Sequence, residues 1–213
     1  MKIKTITQTL LIGAMAFGIS ASANAADKKK LLEGAGVAML SDTCAGCHGT
    51  DGASSGPASP NISGLSVDYF IETMQGFQDG SIPSTIMTRI AKGYTEAEIK
   101  AMAAHFGKMK FVKAKGQKFD VALAKEGKKV HDKYCEKCHA DGGSNKDDDS
   151  GVLAGQWTPY LAWTMADYIN FVKGGEGDKR EPTKKMKKKV QQMLDKKGDA
   201  AMPALLNYYA SQQ

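Results

Sequence analysis

"CAGCH", residues 44–48, and "CEKCH", residues 135–139, hold all four cysteines of this 213-residue chain and two of its four histidines. They lie 91 residues apart, and the same separation relates Gly64 to Gly155 and Tyr69 to Tyr160, in "GLSVDYF" and "GQWTPYL". Several features aligned at one separation mark an internal duplication. Beyond them the second half carries an insertion of about eight residues around "KGGEGDKREP". The connector between the halves falls in "GKMKFVKAKGQKFD", residues 107–120, a lysine- and glycine-bearing stretch without periodicity.

Cysteines three apart put both sulfurs on one side of a helical turn, and the next residue is a histidine in both copies. This is the pattern that attaches c-type haem: Cys44, Cys47, Cys135 and Cys138 form thioethers to the vinyl groups, and His48 and His139 turn an imidazole to each iron. Three rival readings are weaker. A four-cysteine zinc site leaves both histidines unexplained. A redox dithiol belongs in a βαβ setting that the pattern does not offer. A disulfide framework would not confine each pair to one turn.

The first residues, "MKIKTITQTLLIGAMAFGISASANAADKKK", begin with Lys2 and Lys4 and continue into an apolar run, then the small-x-small pattern Ala23-Asn24-Ala25. That reads as a secretory signal peptide over residues 1–25, so a periplasmic location and a mature start at Ala26 are expected. Without Lys2 and Lys4 the formal charge falls from +6 to +4. The excess sits in Lys28–Lys30 and in "KKMKKK", residues 184–189, and it accompanies no nucleic-acid motif. No later stretch is apolar enough to span a bilayer.

Both halves read as helical, and no strand pattern of useful length occurs. Leu31–Leu40 and Val121–Tyr134 lead into the Cys motifs, the latter with Leu123, Gly127, Val130 and Tyr134 on one side. Tyr69, Phe70, Thr73, Met74 and Phe77 line a helix after Gly64, and Thr158-Pro159 reads as an N-cap and first turn of its counterpart. Thr95 and Glu98 form a capping box. The expected class is all-α, in domains 26–112 and 113–213. With 7 Phe and 2 Trp in the whole chain, two small cores lack apolar filling, and a large apolar group should complete each.

A haem iron in an electron carrier takes a second axial ligand, and a thioether there raises the reduction potential. In the first half the candidates are Met74, Met87, Met102 and Met109, of which Met74 and Met102 fall on apolar helix faces. Met87, in "SIPSTIMTRIAKGYT", follows a Pro-Ser-Thr segment that reads as a loop able to fold over a haem face, and is the preferred ligand, 39 residues after His48. Met186 follows His139 by 47 residues, and the difference equals the insertion. Met186 also begins the stripe Met186, Val190, Met193, Leu194 of an amphipathic helix, but the repeat favours a ligand over core filling. Met165, Met193 and Met202 are left to packing, and His105 and His131 to surface or boundary positions. A proximal histidine needs its other ring N–H bonded, and the proline loop "GPASPNISG" is positioned to supply a carbonyl in the first half. Pro60 becomes Gly151 in the second half, so the two haem potentials should differ.

With these residues in place the chain resembles the dihaem cytochrome c4 group, and more closely the dihaem cytochrome subunits of flavocytochrome c sulfide dehydrogenases. "CAGCHGTDG", "GPASPNISG", "STIMTRIAKGY", "HDKYCEKCHADGG", "LAGQWTPYL" and the terminal "YASQQ" carry the likeness. It implies two tandem class I cytochrome c domains with adjacent haems, two covalent haem c groups, and axial pairs His48–Met87 and His139–Met186. It further implies an electron-transfer subunit rather than an enzyme. An FAD-containing sulfide dehydrogenase subunit in a heterodimer would be the donor, and a soluble acceptor such as a small cytochrome would take the electrons. The alternative is a free-standing c4-type carrier to a terminal oxidase. A dihaem peroxidase would need an open iron position, against which the two methionine candidates stand.

Overall fold

The computed structural model describes residues 36–146, 150–175 and 180–213. The expected signal peptide and the helix start at Leu31 lie outside these residues, as do the acidic loop 147–149 and the middle of the insertion. The described residues are helical and contain no strand. In chain order they form α1 (Val37–Asp42), α2 (Ala45–His48), a 3₁₀ turn (Thr50–Gly52), α3 (Val67–Asp79), α4 (Met87–Ala91) and α5 (Glu96–Gly107). The second half follows with α6 (Val121–Tyr134), α7 (Ala140–Gly143), α8 (Thr158–Val172), α9 (Lys184–Lys197) and α10 (Ala201–Ala210).

The duplication is visible in the backbone hydrogen bonds. Gly52 C=O accepts from Ile62 and Ser63, and Gly143 C=O accepts from Leu153 and Ala154, at the same 91-residue separation. Gly64 N–H donates to Phe106 C=O at the end of α5, and Gly155 N–H to Tyr209 C=O at the end of α10. Each half therefore ties the loop after its Cys motif to its last helix.

Local chemistry sets the ends of these elements. Thr95 Oγ1 accepts from Glu98 N–H at 3.3 Å while Glu98 Oε2 accepts from Thr95 N–H at 2.7 Å, the expected capping box. Ser66 caps α3, Asp120 caps α6 and Thr183 caps α9, each accepting a backbone N–H of the first turn. At α8 the expectation is off by one. Trp157 is the cap, Thr158 is already helical, and its N–H and hydroxyl both donate to Gln117 Oε1. Leu123 is also exposed rather than facing the core.

The second core gathers Val130 and Tyr134 of α6, Leu161 of α8, Met193 of α9, and Leu205, Tyr208 and Tyr209 of α10. Helices α6 and α10 cross at Gly127, where an added Cβ would lie 2.0 Å from the Ala204 carbonyl oxygen. In the first half Met74, Ile99, Met102 and Phe106 are buried, with the Phe70 and Phe106 rings stacked at 5.7 Å.

The halves meet through polar groups as well as rings. Asn61 N–H donates to Gln156 Oε1 at 2.9 Å, and Gln156 Nε2 returns a bond to Asn61 C=O at 3.0 Å, both residues being buried. Asn61 Nδ2 donates to Val112 C=O at 2.7 Å and Ala114 N–H donates to Gly155 C=O at 2.7 Å, which pins the connector. Trp157 packs on Gly56 and donates from Nε1 to Ser54 C=O at 3.1 Å, while Tyr69 packs on Gly151. Both glycines have positive φ, 62° and 70°, and an added Cβ would run into the opposing ring. Each half thus sets an aromatic ring against a glycine of the other.

Candidate haem sites

In both Cys motifs the chain makes a single tight turn. Cys47 and His48 N–H donate to Cys44 C=O at 3.2 and 2.9 Å, and Cys138 and His139 N–H donate to Cys135 C=O at 3.1 and 2.9 Å. The four thiols are unpaired with one another. Among the described residues no three His, Cys, Asp or Glu side chains converge on a metal position, so the two pairs do not assemble a zinc site.

His48 Nδ1 lies 2.8 Å from Pro60 C=O. A carbonyl only accepts, so Nδ1 carries the hydrogen and the Nε2 lone pair is left for a metal. Burial pushes His48 below the usual imidazole range although the Pro60 bond works the other way. Burial thus favours the neutral ring, the form a ligand must take. The residues fit a covalently held haem: two accessible thiols on one turn, followed by an imidazole whose tautomer is fixed for coordination.

The axial candidates stand at helix starts. Met87 is the first residue of α4 and half-buried; the Pro-Ser-Thr segment before it is a loop as expected, and the helix begins at Met87 itself. Ser84 Oγ accepts from Met87 N–H at 3.1 Å, and Thr88 Oγ1 donates to Ser84 C=O at 2.9 Å, which holds this entry. Met186 is the third residue of α9, also half-buried, its N–H donating to Thr183 Oγ1 at 3.3 Å. Lys184, Lys185, Lys187 and Lys188 are exposed, and Val190 and Met193 are buried at 2% exposure each. The expected division between wet lysines and an inward stripe is therefore present. Met74 and Met102 are buried in the first core as expected. Arg180, at the edge of the insertion, hydrogen-bonds Tyr69 of the other half and lies over the Tyr168 ring at 5.6 Å.

The cytochrome subunit of sulfide dehydrogenase from Chlorobaculum tepidum is 49% identical over 71 residues, 33% of this chain and 64% of that protein's length. Cytochrome c-553 from Nitratidesulfovibrio vulgaris is 34% identical over 103 residues, 46% of this chain and 91% of that protein. The chain belongs to the c-type cytochromes. No protein-family model matches it. The fold of this cytochrome is that of cytochrome c4: the reduced Pseudomonas stutzeri protein superposes with a TM-score of 0.63 at 22% identity, covering 89% of this chain and 99% of that one. It is an all-α protein of two class I cytochrome domains, and c-type cytochromes carry their haem covalently.

His131 departs from expectation. It is not a surface or boundary residue but fully buried, with 0% exposure. Its Nδ1 lies 2.9 Å from Tyr209 Oη and its Nε2 2.6 Å from Glu136 Oε2. Glu136 Oε2 also accepts from Gly142 N–H at 3.1 Å. Partial burial opposes ionisation of Glu136, but the bonds from His131 and Gly142 together hold its carboxyl below the usual range. Burial pushes the Cys135 thiol up to about 11, although a hydrogen bond from Tyr209 works against this. One signal of this cluster was present in the sequence: "HDKYCE" places polar residues where the first half has "LSDTCA". His105 lies at the boundary as expected, half-buried against the Phe106 ring.

Proposed function

We propose that this cytochrome is an exported, periplasmic dihaem electron carrier, the electron-transfer subunit of a sulfide-oxidising flavocytochrome. It accepts electrons from an FAD-bearing subunit and passes them to a soluble acceptor. The observation that carries the reading is the pair of Cys-x-x-Cys-His turns, set in the same backbone frame twice in one chain. In this reading domains 26–112 and 113–213 each hold one haem. Cys44 and Cys47 bind the first covalently, with His48 and Met87 on its iron. Cys135 and Cys138 bind the second, with His139 and Met186. When bound, each haem supplies a one-electron iron couple. The chain's own part is to fix the imidazoles, exclude water from the iron and hold the halves together. The Asn61–Gln156 pair and the reciprocal ring-on-glycine contacts support a rigid relation between the centres. That lowers the rearrangement needed when an electron crosses.

The sulfide assignment rests on the 49% identical relative. The second reading, a free-standing c4-type carrier, is favoured by the fold match over nearly the whole chain. Purification from the native source separates them. A stoichiometric FAD protein that reduces both haems on addition of sulfide supports the first. A lone cytochrome that no flavoprotein fraction reduces with sulfide removes it.

A further inference from the structure

The duplication provides an internal control for the buried cluster behind the second Cys turn. At the 91-residue separation His131 corresponds to Leu40 and Glu136 to Ala45, and Tyr209 corresponds to Phe106 through the matching bonds from Gly155 and Gly64. The first half fills this place with an apolar trio, Leu40 and Phe106 being buried at 4% and 1% exposure. The fold therefore does not require polar groups here, and a fully buried histidine paired to a part-exposed glutamate stands where apolar packing would serve. A second use has to explain them.

The hydrogen count points to that use. Tyr209 touches both His131 Nδ1 and the Cys135 sulfur, yet its hydroxyl has one hydrogen. Suppose that hydrogen goes to the sulfur. Tyr209 Oη then accepts from Nδ1–H, Glu136 accepts from Nε2–H, and the imidazole carries both hydrogens and a positive charge. When the imidazole is neutral with its hydrogen on Nε2, Nδ1 takes the Tyr209 hydrogen and the sulfur loses its donor. Burial, then the neighbouring Cys135, keep Tyr209 itself protonated. The far end of the chain meets water, because the Glu136 side chain is 40% exposed.

We propose that His131, Glu136 and Tyr209 form a redox-linked proton site of the second centre, in which one proton from solvent enters at Glu136 and settles on His131 as one electron reduces the iron. This rests on the haem-carrier reading above. Protonation brings a positive charge near the centre and turns the Tyr209 hydroxyl onto the Cys135 thioether, drawing electron density from it. Both effects favour the reduced iron, so the second potential rises as pH falls. Tyr208 and Tyr209 on α10 and Glu136 on the motif turn face His131 itself, while Lys128 and Asp132 on its own helix act on Tyr208, Lys128 also on Glu136, and Lys189 on α9 acts on Cys135. Among the described residues, Leu40, Ala45 and Phe106 offer the first centre no corresponding chain.

The test is a spectroelectrochemical titration of the holo-protein across the range in which imidazoles titrate, about pH 5 to 8. In the wild type one wave should move by up to tenfold in its reduction equilibrium per pH unit, about 59 mV for one electron, and the other should move much less. His131→Leu, which installs the first half's residue, should flatten the moving wave. Glu136→Gln and Tyr209→Phe keep shape and should each remove at least half of its slope, which decides the matter if His131→Leu does not fold. Two waves that ignore pH, or a moving wave with full slope in all variants that fold, overturn the proposal. Haem staining of the same samples separates the two readings: a colourless chain ends the carrier reading, whereas two haems with pH-independent waves end only this one.

Discussion

Behind the first Cys turn lie Leu40, Ala45 and Phe106, and behind the second lie His131, Glu136 and Tyr209, on backbones whose loop-to-helix bonds match one for one. The contrast continues on the ligand side. Met87 opens a five-residue helix next to exposed Ile86 and Ile90, whereas Met186 sits in a fourteen-residue helix whose outer face is lysine. Helix crossing differs too, since Gly127 is pressed against Ala204 while Gly36, its repeat mate, has open space around it. The lesson is that duplication preserved the frame that presents Cys and His, because that frame is set by short-range bonds. The lining and the surface, which those bonds do not dictate, were free to diverge.

Breaking one half at a time sharpens the comparison most. Cys44→Ser with Cys47→Ser, or Cys135→Ser with Cys138→Ser, should each reduce covalent haem from two groups per chain to one, read by pyridine haemochrome analysis. Loss of both haems from either double variant would show that the halves do not load independently. Gly127→Ala should cost about 2–3 kcal/mol of stability from overpacking against Ala204. Gly36→Ala should cost less than about 1 kcal/mol, because it opens into space and touches only a cap position. Denaturant unfolding of the two holo-variants checks this, and equal losses would refute the asymmetry.

Exchanging one thioether for an imidazole separates the centres electrically. Met186→His should lower one potential by on the order of 100 mV, within the ≈0.8 V that axial ligation spans. Met87→His should lower the other. A redox titration in which both variants shift the same wave, or neither shifts any, removes these methionines from the irons. The smallest expected effect concerns the surface. Replacing Lys184, Lys185, Lys187 and Lys188 by Gln should slow electron exchange with an acidic redox protein by roughly three- to tenfold at low salt. The difference should vanish at high salt, as measured by stopped-flow. Slowing that persists there would mean that the helix itself was disturbed.

Much of the candidate site was legible because its chemistry is local. Two thiols and an imidazole on one turn, a capping box at Thr95 and Glu98, and a lysine-faced stripe from Met186 to Leu194 are spacings within a few residues. A loop shaped by Pro57 or Pro60 was legible as the source of a carbonyl for His48, and the structure shows that the Pro60 C=O accepts from it. The Pro-Ser-Thr segment before Met87 was legible as a loop; the short helix that Met87 opens, with its first N–H donating to the Ser84 hydroxyl, was not. His131 was misread because its burial depends on Tyr208 and Tyr209, some seventy-eight residues away.

The sequence by itself determined the helical class, the duplication and the residues that can grip a haem, since each follows from periodicity or from neighbours on one turn. Only the tertiary structure decided that Asn61 answers Gln156, that Tyr69 rests on Gly151, and that a histidine, a glutamate and a tyrosine close into one chain behind Cys135. The reason is physical: hydrogen bonds between residues far apart in sequence exist only once packing has brought the helices together and removed the water that would otherwise satisfy those groups.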